Sequence, residues 1–138
     1  MSARVGNPQQ LIIASAALGA AAGRVIALNN QGWALLLSMA LLFTASATVG
    51  NRVLVLDVKD SAGNILYRGT LGTNVTAGQT PRLIYGAGLA TTGVTTPLTQ
   101  TFALPDGFAV PPLSTVTIFD NANVDVADTV AGNAVMSN

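Results

Sequence analysis

The chain of 138 residues has no cysteine, no histidine and no glutamate, and Lys59 is its only lysine. Each absence closes off chemistry. Without cysteine there is no disulfide, no thiolate nucleophile and no sulfur-ligated metal, and the redox compartment cannot be read. Without histidine the commonest general acid–base and metal ligand is missing. Without glutamate, and with one lysine, the chain also lacks the residues that normally dress exposed helices. Charged residues make up 9% of the sequence, against roughly 25% in an ordinary soluble domain. The composition excludes most enzyme classes and predicts a structural part, with no catalytic residues, no cofactor and no metal.

What is present is apolar surface: 50% of the residues are hydrophobic and the net charge is zero. The length fits one domain, which alone buries only about two thirds of its chain surface. With so few charges, the remainder must include apolar area, and patches above a few hundred Å² mark partner contacts. Zero net charge gives little protection against association. The expected state is a homo-oligomer or a part of a larger assembly. Nucleic acid is not an expected partner, because Arg4, Arg24, Arg52, Lys59, Arg68 and Arg82 are scattered rather than clustered against phosphate.

Two uncharged stretches, Leu11–Gly23 and Gly32–Gly50, raise the question of a membrane. The second has the length of a spanning helix, which keeps a small holin-type membrane protein as an alternative. Three features weigh against it. The tail Thr44–Gly50 is rich in Thr and Ser, no basic cluster flanks either stretch, and nearly all of the following sequence is strand-like. A signal peptide over Leu11–Gly23 would have only Arg4 as its basic region.

Period-two patterning dominates from residue 24 onward. In Trp33–Thr44 the odd positions Trp33, Leu35, Leu37, Met39, Leu41 and Phe43 are all large and apolar, which predicts a long strand with that face in a core. Asn51–Lys59 and Ile65–Arg68, separated by Asp60-Ser61-Ala62-Gly63-Asn64, predict a β-hairpin. Thr80–Tyr85 reads as a strand whose Pro81 suits a sheet edge. Gly86–Pro97 reads as a surface loop. Further strands are expected at Leu98–Leu104, Phe108–Val110, Ser114–Phe119, Val124–Val130 and Ala134–Met136. Short strands separated by Gly, Pro and Asn turns predict an all-β fold: a single β-sandwich or jelly-roll domain over 24–138. Residues 1–23 are expected to form an apolar N-terminal arm or short helix outside it, with a strand as the remaining alternative, held either by the sandwich itself or, as the favoured reading, by a neighbouring subunit.

Several residues invite a functional reading. Asp120 to Asp128 suggests a calcium loop, but no acid closes it at the required spacing, and turn formation by Asn and Asp explains it better. Asp60 and Asp106 also sit in turn sequences rather than as a catalytic pair. Trp33, Tyr67 and Tyr85 could line a sugar-binding face, although core or interface positions are the commoner use. Gly86-Ala87-Gly88 follows a strand without a convincing helix behind it, too weak for a phosphate loop. Asn74-Val75-Thr76 matches a glycosylation sequon and carries no weight without evidence of secretion. Arg52, at the start of an apolar strand, is the most interesting polar residue. Asp57, Asp60 or a neighbouring subunit are its candidate partners. Leu11, Ile12, Ile13, Leu18 and Arg52 are therefore the candidate assembly contacts.

The stretch Thr44–Arg68, TASATVGNRVLVLDVKDSAGNILYR, resembles a pattern in structural β-sandwich proteins of tailed bacteriophages. In it a small-residue turn and GNR precede a Val/Leu strand and an Asp-x-x-Gly-Asn hairpin. Leu104-Pro105-Asp106-Gly107 through Phe119-Asp120, with its Pro-Pro step, and Asp125-Val126-Ala127-Asp128 share the texture, so the resemblance covers roughly residues 24–130. It implies a virion component: a capsid cement or decoration protein, with a trimer as the oligomer that threefold lattice sites would favour, and with itself and the major capsid protein as partners. A tail, collar, head–tail connection or fibre component is the alternative it also implies.

Overall fold

The computed structural model describes residues 8–18, 23–95, 98–120 and 125–137. Among them there are ten strands and no helix. The strands are β1 (Pro8–Ala17), β2 (Arg24–Ala27), β3 (Ala34–Thr44), β4 (Leu54–Lys59), β5 (Ile65–Thr70), β6 (Arg82–Ala87), β7 (Thr99–Leu104), β8 (Ala109–Val110), β9 (Thr115–Asp120) and β10 (Thr129–Ser137). They form two packed sheets, the expected β-sandwich. Sheet A runs β1-β10-β3-β6-β7, with β8 also paired to β3, and sheet B runs β2-β9-β4-β5. All neighbours are antiparallel except β6 and β7, which run parallel.

The core lies between the sheets. Leu54, Leu56 and Val58 of β4 and Val116 and Ile118 of β9 alternate into it, as the period of two requires. They meet Leu41 and Phe43 of β3, Leu83 and Tyr85 of β6 and Phe102 of β7. Tyr85 stacks on Phe102 with centroids 4.5 Å apart, and Tyr67 meets Tyr85 edge-on at 6.3 Å. The hairpin β4–β5 forms as its turn chemistry predicts. The Asp60 carboxylate accepts from the amides of Ala62 and Asn64, and Gly63 takes a positive φ.

The long apolar strand departs from simple alternation. Val135 of β10 pairs with Ser38, but Met136 pairs with Leu36, so Leu37 is an extra residue on β3. A bulge shifts every side chain beyond it to the opposite face. Met39, Leu41 and Phe43 point inward as expected, whereas before the bulge Ala34 and Leu36 are the buried residues. Trp33, expected in the core, is 66% exposed. Neither stretch considered as a spanning helix is helical where described: both are strand and turn, and no helix among the described residues could cross a membrane.

Two further expectations need correction. Pro81 precedes β6, which is no edge strand but lies between β3 and β7. It stands ahead of the strand, where a missing N–H breaks no bond of the β6 ladder, and its carbonyl accepts from the Phe43 amide. The N-terminal arm is, over 8–18, part of the sandwich: β1 pairs with β10 along its length, and Ile13 and Leu18 are buried in the core. Backbone pairing plus an inward row outweighs the weak strand propensity of an Ala-rich sequence. The rest of the expected arm, 1–7 and 19–22, lies outside the described residues.

Candidate assembly surface

The five expected contacts separate. Ile13 and Leu18 are buried, and Leu11 packs partly against the core, so none of the three is a free anchor in this chain. Ile12, on the opposite side of β1, is 69% exposed. Arg52 is 1% exposed and is tied within its own chain rather than presented to a neighbour.

Its partners were not the ones expected. Arg52 Nε donates to Asp128 Oδ2 at 2.9 Å and Nη2 to Asp128 Oδ1 at 3.1 Å, a two-pronged pairing. Other donors reach the carbonyls of Thr48 and Gly50 and the Ser46 hydroxyl. Asp125 Oδ2 stands 3.6 Å away and also accepts from the Ser46 hydroxyl. Hydrogen bonds from Ser46, Thr48 and the Ala127 amide, with the Arg52 charge behind them, hold the Asp125 carboxyl down to about 2. Arg52 stands just before β4 of sheet B, and Asp128 just before β10 of sheet A. The group is thus a polar clasp between the sheets. Asp57 instead pairs with Arg68, at 2.6 and 2.8 Å. Arg24, which the sequence reading passed over, makes a second cross-sheet tie: from β2 its Nη1 donates to the carbonyls of Ala14 and Val130 in sheet A.

With these charges used internally, the outward side of sheet A is almost uncharged. The register places Ile12, Asn133, Ala40, Ile84 and Thr101 in one row across five strands. The adjacent rows bring Val135, Ser38, Gly86 and Ala103 on one side and Ala131, Leu42, Arg82 and Thr99 on the other. Arg82 is the single charge among them. Five strands at about 4.8 Å and six residues at about 3.3 Å make a plane on the order of 500 Å². That is the size of the largest patch on a typical monomer, a patch that is often functional. A Cβ on Gly132 would lie 1.9 Å from the Ala40 carbonyl oxygen, so only glycine lets β10 approach β3 at that point.

The other candidates resolve locally. Tyr85 belongs to the core cluster and Tyr67 packs against it, and burial pushes both phenols up. Asp60 serves its turn, and hydrogen bonds from Asn64 hold its carboxyl below the usual range. Gly86 is inside β6 and Gly88 follows in a turn, without a phosphate-binding helix. Among the described residues no three acids gather as a metal site. Residues 121–124 of the Asp/Asn-rich run lie outside the described residues, and its Asp125 and Asp128 face Arg52.

No family model and no curated protein matches the chain. Several solved structures are similar to it. T=1 particles derived from infectious bursal virus match at 10% identity over 96% of this chain and 32% of that one, with a TM-score of 0.47. The capsid asymmetric unit of cyanophage Pam1 matches at 18% identity over 99% and 88%, with a TM-score of 0.41. FlgD from P. aeruginosa matches at 11% identity over 85% and 76%, with a TM-score of 0.35. The chain spans about a third of the infectious bursal virus chains it matches. At these scores none of the likenesses says what this chain does.

Proposed function

We propose that this chain is a structural, non-enzymatic component of a bacteriophage virion, and within it a capsid cement or decoration protein that self-associates and binds the major capsid protein. The observation that carries the reading is the outward side of sheet A, where Arg82 is the single charge in the three rows across its strands. Such a face suits a broad contact, since a standard interface covers about 800 Å² on each partner. Repetition on a lattice turns modest single contacts into strong retention. The residue absences and the resemblance of Thr44–Arg68 to phage sandwich proteins point the same way. We read the eight strands other than β7 and β8 as a jelly roll, β1-β10-β3-β6 facing β2-β9-β4-β5. That architecture serves viral capsids and lectins alike, so it does not decide function.

Quantitative mass spectrometry of purified particles tests the reading. Copy number near that of the major capsid protein supports cement. A handful of copies per particle moves the chain to the tail, collar or connector. Absence from particles, together with a monodisperse monomer at high concentration, overturns the virion role.

A further inference from the structure

At the end of β10 opposite the Arg52 clasp, the loop between β2 and β3 encloses a pocket of about 250 Å³. Leu28, Ala34 and Met136, all buried, form its apolar part. Around them stand the exposed side chains of Gln9, Asn29, Gln31 and Trp33. Among the described residues no charged side chain lines it. The loop is held rigidly. Asn30, 8% exposed, donates to the carbonyls of Gly32, Val110 and Pro111 and accepts from the Ser114 amide. Asn29 is kept at φ 59°, a conformation few residues other than glycine adopt.

From this geometry we infer that the pocket binds one neutral sugar ring of a glycan. An indole offers an apolar face for the C–H side of a pyranose. Each carboxamide offers both donors and an acceptor to hydroxyl groups. The lining residues, all uncharged, match a neutral ligand. The volume lies below the roughly 300–1,000 Å³ of drug-sized sites, which fits a single ring. An apolar protein side chain seated there would strip water from Gln9, Asn29 and Gln31 without replacing their hydrogen bonds. Pre-set loop geometry lowers the ordering cost of binding. The inference is independent of the virion reading.

Trp33 is the only tryptophan, so fluorescence excited selectively at tryptophan reports on the pocket alone. The full-length protein is titrated with the methyl glycosides of glucose, galactose, mannose, rhamnose, fucose and N-acetylglucosamine, followed by fluorescence and saturation-transfer NMR. Saturable binding of at least one is expected. Trp33→Ala, read by NMR, and Asn29→Gly, which suits the positive φ while removing the amide, should each weaken it about tenfold or more. Gln31→Ala serves as a second variant that retains the fluorophore. Circular dichroism establishes that each variant is folded. No saturable response to any of the six, or binding undiminished in folded Trp33→Ala and Gln31→Ala, overturns the proposal. So does loss of self-association in Trp33→Ala when the wild type binds no sugar, which would make the indole a protein contact.

Discussion

The outward sides of the two sheets are finished differently. On sheet B, Asp57 is buried under the two-pronged grip of Arg68, whose guanidinium lies 5.9 Å from the Phe119 ring centre. Thr117 pairs across from Asp57, and Lys59 and Thr115 extend the polar surface. Charge and countercharge meet within the face, which leaves it suited to water. On sheet A the comparable rows are mostly alanine, leucine, isoleucine, valine and threonine, with Asn133, Ser38 and Gly86 among them, and Arg82 has no carboxylate opposite it in those rows. One sandwich thus has a face complete in itself and a face that gains by being covered. With six basic residues in the chain, their placement is informative. Arg24 and Arg52 tie the sheets together, Arg68 seals one face, and Arg82 marks the other.

The comparison presupposes that both sheets share one frame, so the largest effect is expected where that frame is tied. Removing Arg52 by Arg52→Ala leaves Asp128, fully buried, without its countercharge. A cost of about 3–5 kcal/mol in urea unfolding is expected. Arg52→Lys should recover little of it, because an ammonium cannot reproduce the fork. A variant within about 0.5 kcal/mol of wild type, the range of ordinary surface substitutions, would show that the clasp is incidental.

The two faces are separated next by their own arginines. Arg68→Ala strips the buried Asp57 carboxylate of its donors and should cost about 1–3 kcal/mol. Arg82→Ala should stay within about 0.5 kcal/mol. Equal losses would erase the distinction between a sealed and an open face.

Association is expected to follow the open face without a matching loss of stability. Ile84→Lys puts a second charge beside Arg82 in the middle of sheet A and should abolish self-association in sedimentation velocity. Val25→Lys, at an exposed apolar position on the outward side of sheet B, should leave it unchanged. If Val25→Lys disrupts assembly and Ile84→Lys does not, the faces have been assigned the wrong way round.

Much of this contrast was legible in the sequence, and its decisive parts were not. The hairpin β4–β5 and the inward residues of β9 follow from turn chemistry and alternation, both local. The bulge at Leu37 leaves no local trace, because Leu35, Leu36 and Leu37 are alike and no glycine or proline marks the extra residue. Its consequence, an exposed Trp33, was therefore unreadable. The Arg52 partnership spans 76 positions to Asp128. Nothing near Arg52 distinguishes that carboxylate from Asp57 or Asp60, and only the arrangement of β4 and β10 brings it close. Residues 8–18 looked like an arm because alanine says little about strand, and the backbone pairing with β10 that recruits them is non-local. The open face itself was anticipated only as a shortage of charge; which surface carries it depends on the register of five strands.

The smallest effect concerns the rim of the clasp, and it separates local from global acid sensitivity. The Asp125 carboxyl is held near 2 in the folded chain, against an ordinary value of 3.8. A depressed value means the folded state resists protonation more than the unfolded state does. The associated stabilisation is fully present above about pH 4 and is lost as pH falls toward about 2. Asp125→Asn lacks this ionisation, while the other carboxylates are common to both proteins. The difference in unfolding free energy between wild type and Asp125→Asn should therefore be constant from pH 7 to about 5 and shrink steadily between about 4 and 2. Urea melts across that range measure it. A difference that stays flat to pH 2 would mean that the hydroxyls of Ser46 and Thr48 bond the protonated and ionised carboxyl equally well, and that acid acts on the clasp elsewhere.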